Sequence, residues 1–179
     1  VPQEVPCTAK LSKLGGQGRS FKKYDIENSA ADGDIQQVQQ DHSGAIWWVN
    51  DESFTRFNGI IYQSVSYSGI AADYRNTFTY IDNHGDLWLC ATKNKKIDIY
   101  GYKAKWENLS TFVANENEEV LSFYATKISG KTWVILSTNQ RILTWDNGKW
   151  NEMFLDESST IHQVVASGNI IYIHTDKGS

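Results

Sequence analysis

One pattern constrains this chain more than any other. A short strand that is apolar on both faces returns at a near-constant interval, each time after a tight turn containing glycine. The copies are Ile46-Trp47-Trp48-Val49 after Gly44, Leu87-Trp88-Leu89-Cys90 after Gly85, Trp133-Val134-Ile135-Leu136 after Gly130, and Ile170-Ile171-Tyr172-Ile173 after Gly168. The aromatic anchors Trp47, Trp88, Trp133 and Tyr172 are 41, 45 and 39 residues apart (88−47, 133−88, 172−133). A strand at a solvated sheet face alternates apolar and polar residues, and these do not, so both faces must be covered. Stacking small antiparallel sheets around an axis covers both at once. A period of 40–45 residues with about four strands per unit is the mark of a β-propeller blade. The predicted fold is therefore all-β, built of consecutive four-stranded antiparallel blades.

The organisation follows from that period. Residues 1–19, with Pro2, Pro6 and Gly15-Gly-Gln-Gly18, read as a leader or linker. Phe21–Ile26 reads as a lone outer strand of a blade whose inner strands lie elsewhere. Blades are expected at about 34–66, 76–113 and 119–155, with the first hairpin of a fourth at 160–175. Asn58-Gly59, a strong hairpin signal, closes the third strand of the first blade. Three blades, one strand and one hairpin do not close a ring, so the expectation is part of a longer receptor. Open edges at Phe21–Ile26 and Ile170–Ile173 predict self-association, as a homodimer for example, which Ile171→Lys should suppress. The chain starts with Val1 and its single Met is Met153, consistent with a removed leader or a piece of a longer protein.

Composition excludes some classes. The net charge is −4 and no long basic run exists, so the footprint of a nucleic-acid binder is missing. No apolar run reaches the roughly 18 residues of a membrane span. Any membrane link would run through segments downstream of these residues. Cys7 and Cys90 leave two alternatives, a buried apolar thiol at Cys90 or a Cys7–Cys90 disulfide.

The units resemble the two-component regulator propeller repeat. Its pattern is Asp, two residues, Gly, two residues, Trp, then a strand with Arg-aromatic-Asn/Asp. Asp41-His-Ser-Gly44-Ala-Ile-Trp47 with Arg56-Phe57-Asn58-Gly59 matches it, and Asp82-Asn-His-Gly85-Asp-Leu-Trp88 matches its first half. The third copy keeps Gly130 and Trp133 but has Lys127 at the acid position. The fourth keeps Gly168 and has Tyr172 near the Trp position. The resemblance covers about residues 20–179. It implies the extracytoplasmic, periplasmic sensor portion of a bacterial hybrid two-component regulator, commonly built from seven-bladed propellers and associated with polysaccharide use. It also implies an oligosaccharide ligand, no cofactor and no catalysis. The rivals are a propeller enzyme such as a polysaccharide lyase and a non-catalytic protein-interaction scaffold.

Most of the residues that could carry chemistry have a turn or packing role that accounts for them. Asp41 and Asp82 recur once per unit, as turn residues do and catalytic residues do not. His42 and His84 ride on the same turns without metal-ligand spacing. His162 and His174 lie on or beside expected strands, and no Ser-His-Asp order or paired-carboxylate geometry can be argued for them. Asn115-Glu-Asn-Glu-Glu119 lacks a calcium register and reads as a solvated connection. The ligand-binding candidates are Tyr67, Tyr74 and Arg75 in the longest connection, with Lys93, Asn94 and Lys95 in a hairpin tip on the same blade face. Exposed aromatics there would stack on sugar rings, and the cations would bond a carboxylate or sulfate.

Overall fold

A computed structural model describes the backbone at residues 3–6, 8–13, 20–25, 34–74, 76–82, 84–128, 130–146, 148–153, 161–167 and 170–176, and side chains within 34–153 and 172–176. Seventeen strands and one single-turn helix, α1 (Ser68–Ala71), account for the regular structure among these residues. The chain divides into two compact units, Val1–Gly69 and Ile70–Ser179.

In the first unit, β4 (Gln37–Gln40), β5 (Ile46–Val49), β6 (Ser53–Phe57) and β7 (Ile61–Ser66) form an antiparallel meander. The β4–β5 turn shows why Asp and Gly recur. Gly44 takes φ 84°, a left-handed conformation that a Cβ disfavours, and its N–H donates to the Asp41 carbonyl. Trp48 meets Tyr62 edge-on, with ring centroids 5.4 Å apart.

Two expectations fail in this unit. Residues 1–19 are not all linker: β1 (Gln3–Pro6) pairs antiparallel with β7 as a fifth strand, and β2 (Thr8–Lys13) pairs with β3 (Ser20–Asp25). The strand expected over Phe21–Ile26 is therefore not solitary: it pairs along one edge with β2 in a two-stranded sheet. The missed signal is the alternation of Ala9 and Leu11 with polar neighbours, a period of two hidden beside a Pro- and Gly-rich stretch. Pro6 is tolerated because β1 lies at the sheet edge.

In the second unit, β8 (Asn76–Ile81), β9 (Leu87–Lys93), β10 (Lys96–Lys103) and β11 (Lys105–Val113) form one antiparallel sheet. A second contains β12 (Val120–Ile128), β13 (Lys131–Thr138), β14 (Ile142–Asp146) and β15 (Lys149–Met153), and β16 (Ile161–Ser167) pairs with β17 (Ile170–Thr175). The first strands of successive sheets lie beside one another and the sheets stack face to face, as propeller blades do. Trp88, Cys90, Ile97 and Ile99 of one sheet meet Phe123, Ala125, Val134, Leu136 and Trp145 of the next. At about 25 cal/mol per Å2 of apolar area, each buried indole contributes several kcal/mol before entropy is subtracted.

β10 carries a glycine in its interior, at Tyr100-Gly101-Tyr102. Gly101 belongs inside the strand for a packing reason. A Cβ there would lie 3.0 Å from Leu109 Cδ1 and 3.3 Å from Trp88 Cζ3. The anchor Trp133 is 37% exposed on the sheet face turned away from Trp88, while Trp145 supplies the buried indole.

Candidate functional site

The turn acids come first, because their surroundings decide whether they do chemistry. Asp41 is buried and accepts bonds from Ser43 N (2.8 Å), Ser43 Oγ (2.5 Å), Ala45 N (3.1 Å) and Trp47 Nε1 (2.8 Å). Arg56 Nε is 3.4 Å away, and its guanidinium lies over the Trp47 ring. Burial alone would raise this carboxyl, but the bonds from Ser43, Trp47 and the Ala45 amide outweigh it and hold it well below the ordinary range. A carboxylate so fully engaged is a structural clamp. Asp82 repeats the turn, accepting from the amides of His84 and Asp86, both at 2.9 Å. The Lys127 ammonium, where the third copy lacks an acid, reaches back to Asp86 Oδ2 (2.6 Å) and lies 5.6 Å from the Trp88 ring centre. The departure from the repeat pattern thus ties the two sheets together.

The second unit opens into a groove of about 740 Å3 at one end of these two sheets. Three segments build it: residues 72–74 with Asn76 at the start of β8, the β9–β10 hairpin tip, and the connection from β11 to β12. The hairpin tip is a two-residue turn with Asn94 at φ 50° and Lys95 at φ 65°, both left-handed. Lys93, Asn94, Lys95 and Lys96 all line the groove, with Phe78 and Ile97 beneath.

The opposite wall, 115–119, is held firmly. Glu118 has a fully buried carboxylate that accepts Arg141 Nε (2.9 Å) and Nη2 (3.0 Å), Thr138 Oγ1 (2.8 Å) and Asn115 N (2.7 Å). Burial pushes its carboxyl up, yet Arg141, the Asn115 amide and Thr138 together hold it below the usual value. Asn139 Nδ2 donates to the Asn117 carbonyl (3.0 Å) and Gln140 Nε2 to the Glu116 carbonyl (2.9 Å). Asn117 is left-handed at φ 58°. The segment read from sequence as a solvated connection is a braced wall, and Asn115, Asn117 and Glu119 line the groove beside it.

Of the six candidates, Tyr74, Lys93, Asn94 and Lys95 line this groove. Tyr74 contributes more as a strut than as a sugar platform, because its hydroxyl donates to Asp98 Oδ2 (2.8 Å) and is 2.7 Å from the Tyr100 hydroxyl. Burial, then Tyr100 and Asp98, push that phenol up. Asp98 is further held by Thr111 and Asn108. Tyr67 is a correction. Its 2% exposure, its bond to the Asn50 carbonyl and its edge-on contact with Phe54 make it a core residue that no ligand reaches. Arg75 lies outside the described residues, as does Cys7, the partner of one Cys90 alternative. Cys90 itself is fully buried, and burial pushes its thiol up. The sequence signal for the missed groove residues was topological: a connection between blades shares the face of the second-to-third-strand loops.

Among the described residues, no three His, Cys, Asp or Glu side chains are grouped to hold a metal ion, and no helix is long and apolar enough to cross a membrane.

No family model matches the sequence, and no curated protein does. Solved structures similar to the chain include the extracellular domain of BT4673 from B. thetaiotaomicron, described as a one component system in one structure and a hybrid two component system in another. They are 16% and 15% identical, with TM-scores of 0.46 and 0.48, over 79% and 90% of this chain. A third is the Nup133 β-propeller domain of Vanderwaltozyma polyspora, 7% identical over 79% of this chain with a TM-score of 0.47. The chain spans 20% and 21% of the two BT4673 chains and 53% of the Nup133 chain.

Proposed function

We propose that this chain is the ligand-sensing part of an extracytoplasmic, periplasmic receptor of the two-component type, and that it binds an oligosaccharide in the groove of its second unit without transforming it. The observation that carries the reading is the braced groove. Loops at one end of two stacked sheets present amides, ammonium groups and carboxylates around an apolar floor of Phe78 and Ile97. Sugar recognition needs that combination, because hydroxyls both donate and accept while C–H faces rest on apolar surface. The spacing of Asp41, Gly44 and Trp47, repeated at Asp82, Gly85 and Trp88, supports the receptor class through its resemblance to sensor propeller repeats. Buried clamps such as Asp41 and Glu118 spend their acids on structure, which fits binding better than turnover.

The test is an oligosaccharide array probed with the 179-residue chain, followed by calorimetric titration and product analysis of any hit. Saturable binding with intact sugar is expected, weakened at least tenfold by Asn94→Ala combined with Asn117→Ala. Hydrolysis or elimination of a bound sugar would replace the sensor by an enzyme. Binding that ignores the double substitution would move the site elsewhere.

A further inference from the structure

We infer that the groove selects an uncharged saccharide over an acidic one, an inference that rests on the proposed function and names the ligand class of the same site. The described residues of these segments carry three basic side chains, Lys93, Lys95 and Lys96, and four acidic ones, Asp73, Glu116, Glu118 and Glu119, of which Glu118 is paired with Arg141, so three stand against three. Some of these charges are already paired within the protein. Lys95 Nζ is 3.8 Å from Glu116 Oε1. Glu118 is taken up by Arg141, whose Nη1 also pairs with Glu152 at 2.9 Å. Asp73 and Glu119 line the groove together with the lysines. A carboxylate or sulfate entering this site meets ammonium groups and carboxylates in balance. Attraction of the anion to the ammonium groups is therefore offset by its repulsion from the neighbouring carboxylates. Desolvating the anion then adds a cost with nothing to repay it.

An uncharged polyol faces no such conflict. Each hydroxyl donates to a carboxylate or amide oxygen and accepts from an ammonium or amide N–H, and both kinds of partner line one groove. The cations expected from sequence to bond a carboxylate or sulfate thus serve instead as donors to hydroxyl groups, because neighbouring acids compensate them.

The experiment compares neutral oligosaccharides with uronate- and sulfate-bearing ones of equal length, on the full 179-residue chain, at about 20 and 300 mM salt. Neutral chains should bind, with affinity changing less than about twofold across that salt range, and acidic chains should bind at least about tenfold more weakly. Tighter binding of acidic chains that fades with salt would overturn the inference and leave the receptor reading standing. Binding of neither class would overturn the receptor reading itself. In a second arm, Asp73→Asn with Glu119→Gln tilts the groove by two charges. Acidic chains should then gain at least about fivefold at low salt; no gain would show that these carboxylates do not exclude them.

Discussion

Replacing Arg141 by Met tests whether the groove wall is held as described. Glu118 has four acceptor contacts, two of them from the Arg141 fork, and its carboxylate is fully buried. Breaking a buried ion pair by removing one partner costs about 3–5 kcal/mol. Thr138 and Asn115 still donate to Glu118 in the variant, and Arg141 is 17% exposed, so about 2–3 kcal/mol is expected. For a chain of this size that lowers Tm by roughly 5–10 °C. Methionine keeps the stem that covers Phe112, whose ring centre is 5.0 Å from the guanidinium, so most of the loss is electrostatic. Urea unfolding followed by tryptophan fluorescence reads the change, and Glu118→Gln with the double variant completes the cycle.

The pH dependence has a definite sign. The folded Glu118 carboxyl lies below its unfolded value, so its stabilisation is full above about pH 4.3 and is lost as pH falls through the folded value. The gap between wild type and Arg141→Met should therefore narrow in acid. A loss below about 0.5 kcal/mol at neutral pH would refute the reasoning, since that is the range of an ordinary solvated pair.

Three further outcomes follow from single residues. Gly101→Ala should destabilise by about 1–3 kcal/mol in thermal melts, because its Cβ collides with Leu109 and the Trp88 ring; neutrality would mean that the indole can shift. Lys95→Gly should raise stability by about 0.5–1 kcal/mol by relieving a left-handed lysine at φ 65°, and a loss would show that the turn is held by the lysine side chain. Asp41→Asn should cost about 2 kcal/mol at neutral pH, since one amide group cannot accept from both Trp47 and Ser43. Because the native Asp41 carboxyl is held down, its contribution is lost only as pH falls below about 4. The variant should therefore lose less stability than wild type in acid titration, and parallel curves would contradict the clamp.

Much of this architecture was legible because its causes are local. Asp41 and Asp82 bond amides two and four residues ahead, and Gly44 and Gly85 take the positive φ that closes the turn, so a seven-residue window contains the whole device. The apolar runs through Trp47 and Trp88 report two-sided burial directly. The groove was less legible because its parts come from three segments that only the stacking of sheets brings together. Lys93 to Lys95 could be placed at a hairpin tip, but the acids opposite them read as solvent-facing. Glu118 and Arg141 are 23 residues apart, and nothing near either one announces the pair. Tyr67 failed for the opposite reason. A loop aromatic looks available in sequence, yet its hydroxyl reaches back to Asn50 and its ring to Phe54.

The most direct test of the central claim is to follow backbone amide resonances while titrating a neutral oligosaccharide found on the array. Saturable shifts should concentrate in residues 72–74, 76, 93–96 and 115–119, in the segments that build the groove. Shifts confined to the first unit, around Trp47 and Arg56, would contradict that claim.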